Sequence, residues 1–420
     1  MSAARALSRR ACSAALVAAS TLATASCDRV TYYSMTGGPE PDDGAPTSGP
    51  GGGGGDGSVT RRMVLESVGV CASTMYAEAA AASAALASLT EAHAGNPSDD
   101  SLAAVREGWK AAIGAWQQVE VLKLGPAGPV TTPGGQGLRD TVYSWPLVSR
   151  CLVEQTLVSE AYADPSFAED ALLNVRGLAA AEYLLFFEPA ENACGAAATI
   201  NTSGAWAALA GAELDARKRG YAAVVSADVA TIVQGIATAW APEGGDLAGT
   251  LAAAGGSGSP FKSDQAALNV VSDGLFYIER EVKDMKLGRP LGKVDCAEAA
   301  CPAAVESQYA RVGRDHVKNN LVGFKRVFDG CGEASARGFD DLLRSLGSAD
   351  VASDMLSGLD GAIAAADALE TSDLVTSLAS ERDKVEALHA AVKKVTDLLK
   401  TDFVTILDLE PPVIVEGDND

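Results

Sequence analysis

Glu182 is the residue whose chemistry most needs an explanation. It lies in ALLNVRGLAAAEYLLFFEP (Ala171 to Pro189), where the segment from Gly177 to Phe187 is apolar on every side except at Glu182. A helix apolar all round is buried. A buried carboxylate is costly unless it is paired, bound to a metal or protonated. Glu182 therefore reads either as half of a structural ion pair or as part of a functional site. Gly177 adds weight to the second, because glycine inside a helix costs about 1 kcal/mol relative to alanine. Its presence implies the close approach of another backbone or of a ligand.

Other segments offer less. Trp145-Pro146, following Arg139-Asp140, reads as a helix-packing corner, with lining of a site as the alternative. The carboxylates of IEREVKD (Ile278 to Asp284) read as a solvated helix face, with Glu279 and Lys283 at ion-pair spacing. His93 falls in an expected loop and His389 in a charged helix, neither at metal-ligand spacing to a second donor. The Gly-rich runs at 51–55 and 253–258 lack the Lys-Ser/Thr of a phosphate loop. No nucleophile motif, zincin motif or dinucleotide fingerprint is present.

The elements that must position these residues are helical. Of 420 residues 47% are hydrophobic and only 5% aromatic, and the alanine content favours close-packed helices. No sustained alternating pattern of β-branched residues occurs, so a major sheet is excluded. Helical patterns run over 61–92, 101–124, 139–160, 166–187, 203–219, 226–240, 262–287, 303–329, 334–346, 350–368 and 371–405. The second is expected to be capped by the aspartates before Ser101. About ten helices with short connections predict antiparallel bundles. The Gly-rich stretch 242–260 divides the body into an N-terminal bundle (61–241) and a C-terminal bundle (242–405), followed by an acidic tail (406–420). The formal charge, 33 − 55 = −22, comes with no basic block, which argues against a nucleic-acid partner.

Residues 1–26 carry Arg5, Arg9 and Arg10, then an apolar stretch from Ala11 to Ala25, the layout of a secretory signal. The stretch ends in LATASC, so that Cys27 stands where a lipoprotein would be acylated; an ordinary cleaved signal is the alternative. Residues 27–60, rich in Gly, Pro, Asp and Ser, read as a flexible tether. Together these place the body at the cell envelope, lipid-anchored and facing the periplasm or the cell surface, with the membrane as a partner. Beyond Cys12 and Cys27, six cysteines remain of eight, an even count that in an exported chain predicts disulfides. Cys296 and Cys301 in VDCAEAACP suit a local bridge; a zinc pair is the rival, but no histidine lies nearby.

GLAAAEYLLF (Gly177 to Phe186) resembles the imelysin signature GxHxxE followed by YLLF. Gly177 and Glu182 match it, and Ala179 takes the histidine's place. Four further matches follow in family order: AWQQVEVLKLGP (Ala115 to Pro126), RDTVYSWP (Arg139 to Pro146), KLGRPLG (Lys286 to Gly292), and ESQY with NNLVGF (Glu306 to Tyr309, Asn319 to Phe324). The resemblance covers most of residues 65–400. It implies an all-α fold of two packed antiparallel bundles, with the motif near their interface. A site there would involve Gly177, Ala179, Glu182, Tyr183, Arg139, Trp145 and Glu306. Imelysin-like proteins are exported bacterial proteins, often lipoproteins, associated with iron uptake. The founding member was described as a metallopeptidase.

In GxHxxE the His and Glu share a helix face and can jointly hold a cation such as iron or zinc. Alanine offers no lone pair, which leaves Glu182 as a single helix ligand. His316, in ARVGRDHVKN, is the one imidazole placed to substitute as a metal ligand; the alternative is a solvent-facing histidine among Arg314, Asp315 and Lys318. The sequence thus favours a membrane-anchored, non-catalytic binding protein linked to iron acquisition and its uptake components. A metal-dependent peptidase, or a scaffold that has lost its site, are the alternatives.

Overall fold

The computed structural model describes residues 58–412 apart from Ala210, Glu333 and Ala334. The signal at 1–26, Cys27, nearly all of the tether and the last eight residues lie outside the described residues.

Helix α1 (Arg61–Gly95) starts where the Thr60 hydroxyl accepts the Met63 N–H, and α2 (Asp99–Val119) starts at a capping box of Ser98 and Ser101. The aspartates expected as caps, Asp99 and Asp100, lie in the first turn of α2, where they complement the helix dipole. Short helices follow: α3 (Leu138–Val142), α4 (Arg150–Ser159), α5 (Phe167–Asp170), α6 (Gly177–Phe186), α7 (Thr199–Thr202) and α8 (Ala205–Ala208). Then come α9 (Ala212–Trp240), α10 (Leu247–Ala252) and α11 (Asp264–Leu275). An eleven-residue π-helix (Ile278–Gly288) leads to α12 (Gly313–Phe328), α13 (Phe339–Ser345), α14 (Ala349–Asp367), α15 (Leu374–Ser380) and α16 (Arg382–Leu398). A short π-turn (Leu399–Phe403) and α17 (Val404–Leu407) complete the series, and no strand occurs among the described residues.

The helices pack in two groups. Helices α1, α2, α6 and α9 form one; α12, α13, α14, α16 and the π-helix form the other. The short connection between α1 and α2 makes that pair antiparallel. Large rings fill the first group, with Tyr76 stacked on Trp240 at 6.0 Å between centroids and Trp109 and Trp116 buried nearby. The groups meet where α12 crosses α2, and Gly323 permits the approach: a Cβ there would lie 2.0 Å from the Gln118 carbonyl oxygen.

Several boundaries differ from the sequence expectation. The 139–160 pattern breaks into α3 and α4 around a cis Trp145-Pro146 bond. The 203–219 and 226–240 patterns belong mainly to one 29-residue helix, α9. The Gly-rich 242–260 stretch contains α10, which packs across α1, and buries Leu251 and, just past the helix, Ala254, so it is not a free divider. Packed chain also continues past 405, since Leu407 and Leu409 are buried.

Candidate functional site

Gly177 opens α6 with φ at +76°, and a Cβ there would lie 2.6 Å from the Val142 carbonyl oxygen. The glycine is therefore required by backbone crowding against α3 rather than by a ligand. One and a half turns later Glu182 points into the chain that precedes α12. Its Oε1 accepts from Ser307 Oγ at 3.0 Å, from the Tyr309 N–H at 3.0 Å and from the Ala310 N–H at 2.9 Å. Ser307 and Arg311 both have positive φ, 58° and 57°. These left-handed residues curve the segment so that successive N–H groups converge, a backbone anion cradle. Burial pushes the Glu182 carboxyl above its ordinary range, and the Ala310 N–H, the nearby His316 ring and the Ser307 hydroxyl pull against it. All three donors meet at Oε1; Oε2 takes none of them and is the oxygen left to the cavity described below. Glu182 is thus held by N–H and O–H donors rather than by the cation of an ion pair.

The cradle is fixed from behind by a buried polar network. Glu306, fully buried, accepts from Tyr143 Oη at 2.8 Å and Gln117 Nε2 at 3.2 Å, and its Oε2 lies 3.1 Å from Lys286 Nζ. Lys286 also donates to Gln117 Oε1 (2.7 Å) and Asn320 Oδ1 (2.8 Å), two hydrogen bonds that add to its ion pair with Glu306. Burial pushes the Glu306 carboxyl up, but the Lys286 ammonium and His316 outweigh it and hold the group down at about 2. His316 Nδ1 lies 3.2 Å from Glu306 Oε2, with the ring centroid 6.3 Å from Trp109 and 6.2 Å from Tyr143.

In front of α6 lies a cavity of about 580 Å³, lined by Ala179, Glu182 and Tyr183 from α6. Trp145, Arg150, Met285, Arg289 and Tyr309 form other walls, and the 295–305 segment with its Cys296–Cys301 bridge forms the rim. Ala179 is 4% exposed and Glu182 5%. Tyr183 donates its hydroxyl to Glu154 Oε1 at 2.9 Å and presents its ring to the cavity.

The site residues read from the sequence divide accordingly. Ala179, Glu182, Tyr183 and Trp145 share the cavity, whereas Glu306 lies behind the cradle. Arg139 does not join them: it pairs with Glu120 at 2.7 Å and Asp140 at 2.7 Å, and lines a separate cavity beyond the Trp145-Pro146 corner. His316 is not solvent-facing but 1% exposed. The IEREVKD carboxylates are not all solvated, because the π-helix turns Glu279 and Lys283 inward as a buried pair at 3.2 Å, with Lys400 2.7 Å from Glu279. His93 ends α1 rather than a loop and is buried against Ser101 Oγ at 2.7 Å. The six body cysteines join as Cys71–Cys331, Cys151–Cys194 and Cys296–Cys301.

Gln117, Tyr143, Lys286, Asn320 and Ser307 were not singled out from the sequence. The signal was nonetheless there. AWQQ supplies Gln117, RDTVYSWP Tyr143, KLGRPLG Lys286, ESQY Glu306 and Ser307, and NNLVGF Asn320. The segments that carry the family resemblance converge on one buried network.

The iron or zinc implied by the resemblance does not fit this donor set. Among the described residues no three His, Cys, Asp or Glu side chains are grouped to hold a metal ion. Ala179 supplies no lone pair, and Glu182 Oε1 is already taken by three donors. His316 Nε2 has no hydrogen-bond partner among the described residues, but it is one nitrogen among aromatic rings. Zinc sites need three or four such donors.

Comparison with known proteins agrees with the fold. The chain is 25% identical over 257 residues to the iron-regulated protein A of Synechococcus elongatus, a match spanning 61% of this chain and 60% of that relative's length. A crystal structure of an imelysin-like protein from Psychrobacter arcticum 273-4 superposes with a TM-score of 0.63 at 19% identity, covering 84% of this chain and 98% of the other. A candidate iron-regulated protein A precursor from Parabacteroides distasonis ATCC 8503 gives the same TM-score and identity, covering 84% and 96%. The family model described as Imelysin matches residues 72–401, the span that contains the cradle, the network and the cavity, and the chain belongs to the imelysin family.

Proposed function

We propose that this chain is a non-catalytic binding protein serving iron acquisition, held at the cell envelope by a lipid on Cys27. The observation that carries the proposal is the cavity beside α6. It is large enough for a small molecule, it is walled by Ala179 where the motif would place an imidazole, and its buried carboxylate has one oxygen committed to a backbone cradle. A metallopeptidase needs a bound metal, an activated water and a base, and this donor set provides at most the last. The iron link is supported by the name of the Synechococcus relative and by the family. The anchor is supported by the basic start, the short apolar stretch and the small residues before Cys27.

The test is calorimetric titration of the purified chain with Fe(II), Fe(III) and Zn(II) beside an Ala179→His variant, with a protein-cleavage assay run in parallel. The expected result is no stoichiometric uptake by the natural chain, uptake by the variant, and no cleavage by either. Stoichiometric binding by the natural chain that Glu182→Gln abolishes, with cleavage that a chelator stops, would overturn the proposal. Growth of a deletion strain under iron limitation tests the physiological part, and loss of membrane fractionation in Cys27→Ala tests the anchor.

A further inference from the structure

Taking the binding-protein proposal as its basis, the geometry points to a small organic ammonium as the ligand of the cavity. Its N–H donors would reach Glu182 Oε2, and its apolar body would lie against Trp145, Tyr183 and Tyr309.

Four observations carry this. Glu182 is 5% exposed, and its three donors all converge on Oε1, so the second oxygen keeps its lone pairs for whatever enters the cavity. A carboxylate oxygen with open valence on a largely buried side chain calls for a cation or a donor. The walls are aromatic: Tyr183 and Tyr309 meet edge to face at 5.6 Å, and Trp145 closes another side. Such walls favour organic cations over hydrated ions.

The charge around the lining has the right sign. Glu182, Asp295 and Glu298 oppose Arg150 and Arg289, giving 2 − 3 = −1. Arg150 is moreover committed, since it is paired with Glu154 at 2.7 Å and lies 3.7 Å over the Phe187 ring. An anion would therefore find only Arg289, which is exposed. Finally, the side chain at 179 is a methyl group, so the volume that an imidazole would occupy is open to the ligand. The about 580 Å³ available is in the range of small-molecule sites and far larger than a metal ion needs.

The experiment is calorimetric titration of the full chain with phenethylamine and with 2-phenylethanol, which match in size and differ in charge. The amine is expected to bind one to one and the alcohol at least tenfold more weakly. Glu182→Gln should bring the amine down to the level of the alcohol. Ala179→Leu, which narrows the cavity beside the carboxylate and leaves its charge in place, should weaken binding of both at least tenfold, with circular dichroism showing the fold retained. Equal affinity for amine and alcohol, no amine binding, or amine binding that survives both substitutions overturns the inference. If Glu182→Gln does not fold, Ala179→Leu and the amine-to-alcohol ratio decide. Metal uptake by the natural chain together with chelator-sensitive cleavage would sink the proposed function itself. Failure of the amine with the metal result as expected sinks only the ligand class.

Discussion

Replacing Lys286 by Met leaves a stem of similar length and removes only the ammonium from the network behind the cradle. Its main effect falls on Glu306, which is fully buried and keeps Tyr143, Gln117 and His316 but loses its strongest counter-charge. The Glu306 carboxyl is held at about 2 against an ordinary 4.5. That depression is the joint work of Lys286, His316 and Tyr143 against burial, and burial in turn lowers the Lys286 ammonium, so the shift is not the worth of the lysine alone. Breaking a buried pair by removing one partner typically costs about 3–5 kcal/mol. For a domain of this size each kcal/mol moves Tm by about 2 °C, so the variant should melt about 6–10 °C lower. The pH dependence follows from the sign. Because the folded carboxyl is depressed, its contribution is fully present above the unfolded value of 4.5 and is lost as pH falls through about 2. Without the ammonium Glu306 takes up its proton at higher pH, so the deficit of the variant should be widest above 4.5 and close on acidification. Urea unfolding followed by circular dichroism at pH 7, 5 and 3 measures this. A Lys286→Met chain within about 0.5 kcal/mol of the natural one at pH 7, the scatter expected of an ordinary surface change, would refute the coupling. So would a double variant with Glu306→Gln whose loss equals the sum of the two single losses.

Three further outcomes are expected. Gly177→Ala must hold a left-handed φ of +76° and place a methyl against the Val142 carbonyl, so it should lower stability by at least about 1–2 kcal/mol in the same urea assay. Replacing Cys71 and Cys331 together by Ala opens a bridge spanning 260 residues and on loop closure should cost about 5 kcal/mol; a loss no larger than that of the Cys296–Cys301 bridge, which spans 5, would contradict the loop-closure account. His93 is held below its ordinary value by burial and by Arg219 and Arg106. The unfolded chain therefore takes up that proton first, and stability should fall as pH drops below about 6.5. His93→Gln should flatten that slope, and an unchanged slope would show that another group sets it.

The burial of Glu182 was legible in its neighbours, because a ten-residue stretch with no polar face has nowhere to go but inside. What holds it was not legible, since the donors sit 125 to 128 residues away on a segment whose curvature depends on two left-handed residues. Helical periodicity does not encode that kind of backbone. The same limit applies to Glu279 and Lys283, whose i,i+4 spacing reads as a solvated pair on an α-helix but turns inward once the backbone widens to a π-helix. Arg139 shares a sequence segment with Trp145, but the buried Glu120 that caps the end of α2 offers it a full counter-charge at 2.7 Å. The all-helical class was the easier inference, since it rests on composition and on the absence of alternation along the whole chain.

The three disulfides nest without crossing: Cys151–Cys194 and Cys296–Cys301 both lie inside the span closed by Cys71–Cys331. In covalent terms the body is a ring from 71 to 331 with two free arms. A single peptide cleavage anywhere on that ring leaves one molecule, and the pieces part only on reduction. A chain nicked in the 242–260 stretch would run as intact on a non-reducing gel and keep its cradle and its network in register. The helices before and after such a cut are thus held together by a bond that lies far from it.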